Sequence, residues 1–201
     1  MKQAKRRLPA LPSLEKLWLP LAEAVASTSY LPHPRVVRAV DSAVFPTSRK
    51  QKMRITPIES ANGVVGMYDD NTTPRWALLW AHGFSGVSQS ASKGWTFAHV
   101  WPSKDDRDSY THLANLAMIP ECFGSLTDKT GPVTHYLRWH AWQVYRWKPK
   151  DSPIPIKPPS YNRLEWQYFE PVADPGRSIT EEFARRQCKR SAILRPLLRN
   201  E

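Results

Sequence analysis

The sequence predicts an α+β fold: a strand–loop–strand–helix core with a helical N-terminal region before it and a basic extension after it. Three observations carry that expectation. Two short β-branched and aromatic runs, residues 95–101 and 115–119, are bounded by Gly94, Pro102 and Pro120. Apolar residues recur at helical spacing before them (Leu14, Leu17, Trp18, Leu21, Val25) and after them, from Pro132 to Tyr145. The 201 residues are 41% hydrophobic with 9 tryptophans, enough apolar surface for one packed domain plus extensions.

Taken in order, residues 1–12 form a basic arm (Lys2, Lys5, Arg6, Arg7), and Ser13 is placed to cap the first helix, within which Pro20 predicts a kink or a late start. That helix is expected to pack its stripe into the core or an interface. Strand character appears over 53–58, beside the basic patch Arg49, Lys50, Lys52 and Arg54. Residues 67–81 predict a turn leading into a buried helix, with Asp70, Asn71 and Thr72 as caps and Pro74 in its first turn. A small-residue loop, 83–93, precedes the core. In the core, residues 95–101 and 115–119 are the strands, 128–131 a turn, and Pro132 opens the helix. Five prolines among lysines in 148–160 predict a stiff strap, and 161–176 is aromatic and expected to be extended. From Ser178, with Glu181 three residues later, a capping box predicts a basic helix that Pro196 should break. The segments divide as 1–60, 61–147, 148–176 and 177–201.

Charge narrows the partner. Lys plus Arg number 29 against 18 acids, a net charge of +11. Such an excess favours a polyanion, because basic groups release counterions from a phosphate backbone. The candidate contacts are Lys104, Arg107, His112, Lys129, Arg138, Arg185, Arg186, Lys189 and Arg190. Cys122 and Cys188 lie far apart, outside any CxxC pair, which excludes a thiolate zinc knuckle and argues against a disulfide-stapled domain. No apolar run reaches the roughly 18 residues of a membrane span, and the basic start lacks a signal-type stretch, so a cytoplasmic protein is expected.

The strand–loop–strand–helix segment carries His99-x-x-Pro102, a polar loop, Asn115-Leu116 entering the second strand, then a polar turn and a helix. Over about 50 residues this resembles the HNH, or ββα-metal, endonucleases. The resemblance implies that His99 is the general base for an attacking water and that Asn115 orients it or the strand backbone. It also implies a divalent metal, Mg²⁺ or Mn²⁺, held near the helix. The chemistry suits the residues. An imidazole accepts a proton near neutral pH, and a hard cation with oxygen ligands stabilises charge on a phosphate. Strand pairing would bring His99 and Asn115 face to face, with Asp128 as the oxygen ligand just before the helix. Asp128 equally suits a turn or a cap. Where the family carries Asp or His immediately before the histidine, this chain has Ala98. Asp128, Asp106, Asp108 or His135 would then complete the site, with His135 preferred over His140; waters and substrate phosphate could finish a one-ligand site; or the fold persists without catalysis.

The resemblance thus implies a DNA endonuclease of a restriction, defence or mobile-element system, prokaryotic or phage, acting on double-stranded DNA; a homodimer or a subunit of a larger complex is the expected assembly. The alternatives are a non-catalytic nucleic-acid-binding or assembly protein that reuses the fold, and a toxin-like nuclease neutralised by a partner.

Overall fold

The computed structural model describes residues 15–45, 55–60, 63–68, 72–86, 90–102, 106–127 and 131–194. It is a mixed α+β structure in which a four-stranded sheet, ordered β4-β5-β1-β6, lies between two helical layers. The strands are β1 (Tyr30–Leu31), β4 (Trp95–His99), β5 (Leu116–Pro120) and β6 (Gln167–Tyr168). A separate antiparallel pair, β2 (Ile55–Ser60) and β3 (Gly63–Tyr68), lies outside that sheet. No described helix is long and apolar enough to cross a membrane.

Alternation along β5 organises the interior. Ala117 and Ile119 face one side, where Ala22 and Val25 of α1 (Glu15–Thr28) and Leu137 and Ala141 of α4 (Thr134–Tyr145) cover them. Leu116 and Met118 face the other side, under Trp76 to Trp80 of α3 (Thr72–Trp80), with Phe45 and Phe169. α3 is buried from Thr73 to Trp80, with Trp76 to Trp80 supplying its apolar side chains and Arg75 enclosed beside them. Its end is a Schellman motif: Gly83, at φ 78°, donates to the Trp80 carbonyl and Phe84 to that of Leu79. α2 (Pro34–Val40) starts on His33, whose ring nitrogen accepts the Arg35 N–H, and packs Val36 and Val37 into a third cluster.

Several expectations change. α1 includes Pro20 as foreseen, but Leu17 and Trp18 are 51% and 38% exposed; the buried side chains are Ala22, Val25 and Ala26, one turn further on. Met67 and Tyr68, read as part of a turn, belong to β3. β4 stops at His99, and Asn115 closes a 3-10 turn (Leu113–Asn115) before β5 starts. The core helix starts at Thr134, because Gly131 makes a turn first: a Cβ there would sit 2.1 Å from the Leu126 carbonyl oxygen. α5 (Pro175–Leu194) begins before Ser178. Asp174 caps it by accepting the Arg177 N–H, Pro175 opens it, and the Ser178 hydroxyl instead donates to the Trp80 carbonyl. Ser13, Asp70, Asn71 and Pro196 lie outside the described residues. The sheet also crosses the expected segment boundaries, since β1 from the N-terminal region pairs with β5 and β6 from residues 148–176 pairs with β1.

Candidate functional site

β4 and β5 pair antiparallel from Trp95↔Pro120 to His99↔Leu116, so His99 ends one strand directly opposite the start of its partner. Between them, the described residues 106–115 are held by side-chain caps. Asp106 caps its turn, with its carboxylate accepting the Asp108 N–H and the Ser109 hydroxyl and its carbonyl accepting the Tyr110 N–H. Thr111 fastens the loop to the 43–45 segment: its hydroxyl donates to the Phe45 carbonyl at 2.7 Å and accepts the Phe45 N–H at 2.9 Å.

Asn115 locks the loop's two ends. Its side chain is fully buried; Oδ1 accepts the Trp101 N–H at 2.8 Å and Nδ2 donates to the Ser109 carbonyl at 2.9 Å. The Asn115 backbone carbonyl accepts the Val100 N–H as well. This amide therefore positions backbone and does not touch a bound substrate.

The loop delivers the Tyr110 carbonyl to His99. The imidazole Nε2 lies 2.9 Å from that oxygen, and the ring stacks on Tyr110 with centroids 5.0 Å apart. A carbonyl can only accept, so Nε2 carries the hydrogen and Nδ1 holds the ring's lone pair. The half-buried histidine is thus fixed in tautomer and plane.

α4 adds a cation. Arg138 Nε donates to the Val100 carbonyl at 3.2 Å, one residue beyond His99, and no carboxylate among the described residues pairs with the guanidinium. Its half-burial pulls its pKa below the usual arginine value. His135, one turn earlier on the same helical face, is exposed.

Ala98 points the opposite way from His99, into the apolar cluster containing Leu137 and Ala141. A methyl group packed there offers no ligand at position 98, and among the described residues no three His, Cys, Asp or Glu converge on one point. Asp106 is engaged as a loop cap, Asp108 is exposed, and Asp128 lies outside the described residues.

The basic candidates are dispersed. His112 is 5% exposed; its Nδ1 accepts the Ala114 N–H and its ring stacks on Trp147 at 4.4 Å, so it is a buried cap and not a solvated phosphate contact. Burial pulls its pKa down to about 4, against the opposing pull of Asp41. Arg186 lies over the Trp76 ring, 3.6 Å from the centroid, and joins α5 to α3. Arg107 and Arg185 are exposed, the latter paired with Glu182. Lys104 and Lys129 lie outside the described residues, as do the side chains of Lys189 and Arg190. His140 is enclosed, with Nδ1 2.7 Å from the Tyr161 hydroxyl and Nε2 3.0 Å from that of Tyr168; burial pushes its pKa down to about 3.

Sequence reasoning missed the parts of the site that are backbone: the Tyr110 carbonyl and the Asp106-capped loop. An Asp-x-Asp-Ser turn signal at 106–109 was present to be read. No protein-family model, curated protein or solved structure matches this chain.

Proposed function

We propose that the chain binds nucleic acid and hydrolyses its phosphodiester bonds, with His99 as the general base. The carrying observation is the His99 Nε2–Tyr110 carbonyl contact inside a loop that Asn115 clamps at both ends. With Nε2 committed to that carbonyl, proton transfer from a water falls in this reading to Nδ1. Arg138, held against the Val100 carbonyl on the α4 side of the sheet, adds positive charge where β4 ends. The net charge of +11 supports a polyanionic substrate, and the resemblance to HNH endonucleases supports double-stranded DNA. A Mg²⁺ or Mn²⁺ requirement belongs to this proposal through the same resemblance, with Asp128 as the ligand it implies.

The test is nicking of a supercoiled plasmid with Mg²⁺, Mn²⁺ or a chelator. His99→Ala is expected to lower the rate by about a thousandfold while leaving DNA binding intact. Cleavage that survives the substitution would reject the assigned base. A second reading, a binding or assembly protein without catalysis, is favoured by one observation: Ala98 is packed into the apolar cluster where the family places a ligand. Retention of DNA with no nicking under any metal would select it.

A further inference from the structure

Two clefts share the walls Ser92, Trp95 and Phe97, and the proposed chemistry uses neither. The first, about 520 Å³, is aromatic: Tyr30, Phe84, Trp95, Phe97 and Phe169 surround it, with Met118 and Leu79 at its floor. The second, about 490 Å³, is polar and contains Arg75, Lys93, Thr72, Thr96 and Glu121. Each falls within the size range of small-molecule sites, ~300–1,000 Å³.

The aromatic cleft has a defined build. Tyr30 and Phe169 meet at 5.5 Å, Trp95 contacts the edge of Tyr30 at 5.9 Å, and Phe84 stands edge-on to Phe169 at 5.6 Å. Phe84 remains 42% exposed at the mouth, held there by the Schellman turn. Its geometry depends on Gly83, where a Cβ would meet Val172 Cγ1 at 2.7 Å. An aromatic ring kept in water by a specified turn, above an apolar space, presents a stacking surface. Next to that space, Arg75 is 8% exposed and donates from Nη1 to the Ser92 hydroxyl at 3.1 Å, while Lys93 is open to solvent. The adjoining clefts thus put ring-sized apolar walls beside two cations and two threonine hydroxyls, with the carboxylates of Glu121 and Glu170 also on their walls. Trp95 and Phe97 also lie on the strand face that carries His99, four and two residues away.

The geometry points to a nucleotide-binding site in these adjoining clefts, with the base against Phe84 and Trp95 and the phosphate toward Arg75 and Lys93. The unit is either a free mononucleotide or one unstacked nucleotide of a single strand. The site does not require His99 to be a base.

The experiment is calorimetric titration of the full chain with adenosine monophosphate, adenosine, inorganic phosphate and a short single-stranded oligoadenylate. The monophosphate is expected to bind, adenosine more weakly, and Phe84→Ala to weaken the monophosphate by about tenfold through lost stacking. Lys93→Ala should weaken the monophosphate and leave adenosine unchanged. Binding of the oligomer as well assigns the site to strands; binding of the monophosphate alone assigns it to free nucleotide. Binding of phosphate alone, or monophosphate binding indifferent to both variants, overturns the proposal, as does no binding at all. Failure here with intact His99-dependent nicking leaves the nuclease reading standing. Binding by a chain that nicks nothing leaves the cleft standing alone.

Discussion

At the level of single residues, Asn115 bears the greatest constraint. One amide closes both ends of the 102–109 loop, using its acceptor on Trp101 N–H and its donor on the Ser109 carbonyl, with no water able to substitute in a fully buried place. Each buried backbone group left unpaired costs about 1–3 kcal/mol. Asn115→Ala is therefore expected to destabilise the fold by about 3 kcal/mol, measured by denaturant unfolding. Asn115→Asp, isosteric but carrying an acceptor where Ser109 requires a donor, should be at least as harmful. A wild-type unfolding midpoint for the aspartate variant would show that the loop holds itself without the clamp. Neither residue's partners could be read from the chain. The strand pairing was legible, but it sets His99 opposite Leu116 and not face to face with Asn115, and the backbone groups that the two side chains bind have no side-chain signature.

At the level of elements, those bounded by strong punctuation were legible and those built by distant pairing were not. Gly94, Pro102 and Pro120 bracket β4 and β5 closely, because glycine and proline act through local backbone geometry. β1 and β6 have two residues each, too few to show alternation, and exist only because β5 offers an edge to Tyr30, which in turn pairs with Gln167. The same reason hides the aromatic cleft, whose walls come from several separate segments. α5 shows how charge misleads. Arg185 and Arg186 are adjacent, yet one faces solvent and the other covers Trp76. Arg186→Ala is expected to cost about 1 kcal/mol of stability through the lost cation–π contact. Arg185→Ala should leave the melting temperature within error and, in a nucleic-acid-binding chain, reduce affinity and the salt dependence of binding. Equal loss of stability in both would mean that α5 is held by its salt bridges. Gly131→Ala belongs to this scale too: its Cβ would strike the Leu126 carbonyl that turns the chain into α4, and overpacking of this kind costs about 1–3 kcal/mol.

Across the whole molecule, three buried histidines couple folding to pH. His82 accepts the His33 N–H at Nε2 and donates from Nδ1 to the Leu78 carbonyl, and burial lowers its pKa to about 4 despite that carbonyl. His112, stacked on Trp147, also falls to about 4, and His140, between two tyrosine hydroxyls, to about 3. Burial is the largest cause in each case. All three stay neutral in the folded chain, whereas an unfolded histidine takes up a proton near pH 6.5. Below that pH the unfolded state binds more protons, so stability rises with pH and is lost as pH falls. The loss begins near 6.5, continues for His82 and His112 to about 4, and for His140 to about 3. Each group contributes a slope of about 1.4 kcal/mol per pH unit once its unfolded form is fully protonated. Three together approach about 4 kcal/mol per unit, against a total stability on the order of 5–15 kcal/mol for a domain. Thermal melts at pH 7.5, 6 and 5 should therefore show a steep decline, with unfolding well above the range where carboxylates titrate. Substituting His140 with Gln retains polar atoms that can face Tyr161 and Tyr168 and removes the proton site. Its melting temperature should fall less steeply between pH 6 and 5, by about one-third of the wild-type slope. A flat profile across that range in the native chain would mean that the histidines meet water or a compensating charge, and that the folded state admits their protons.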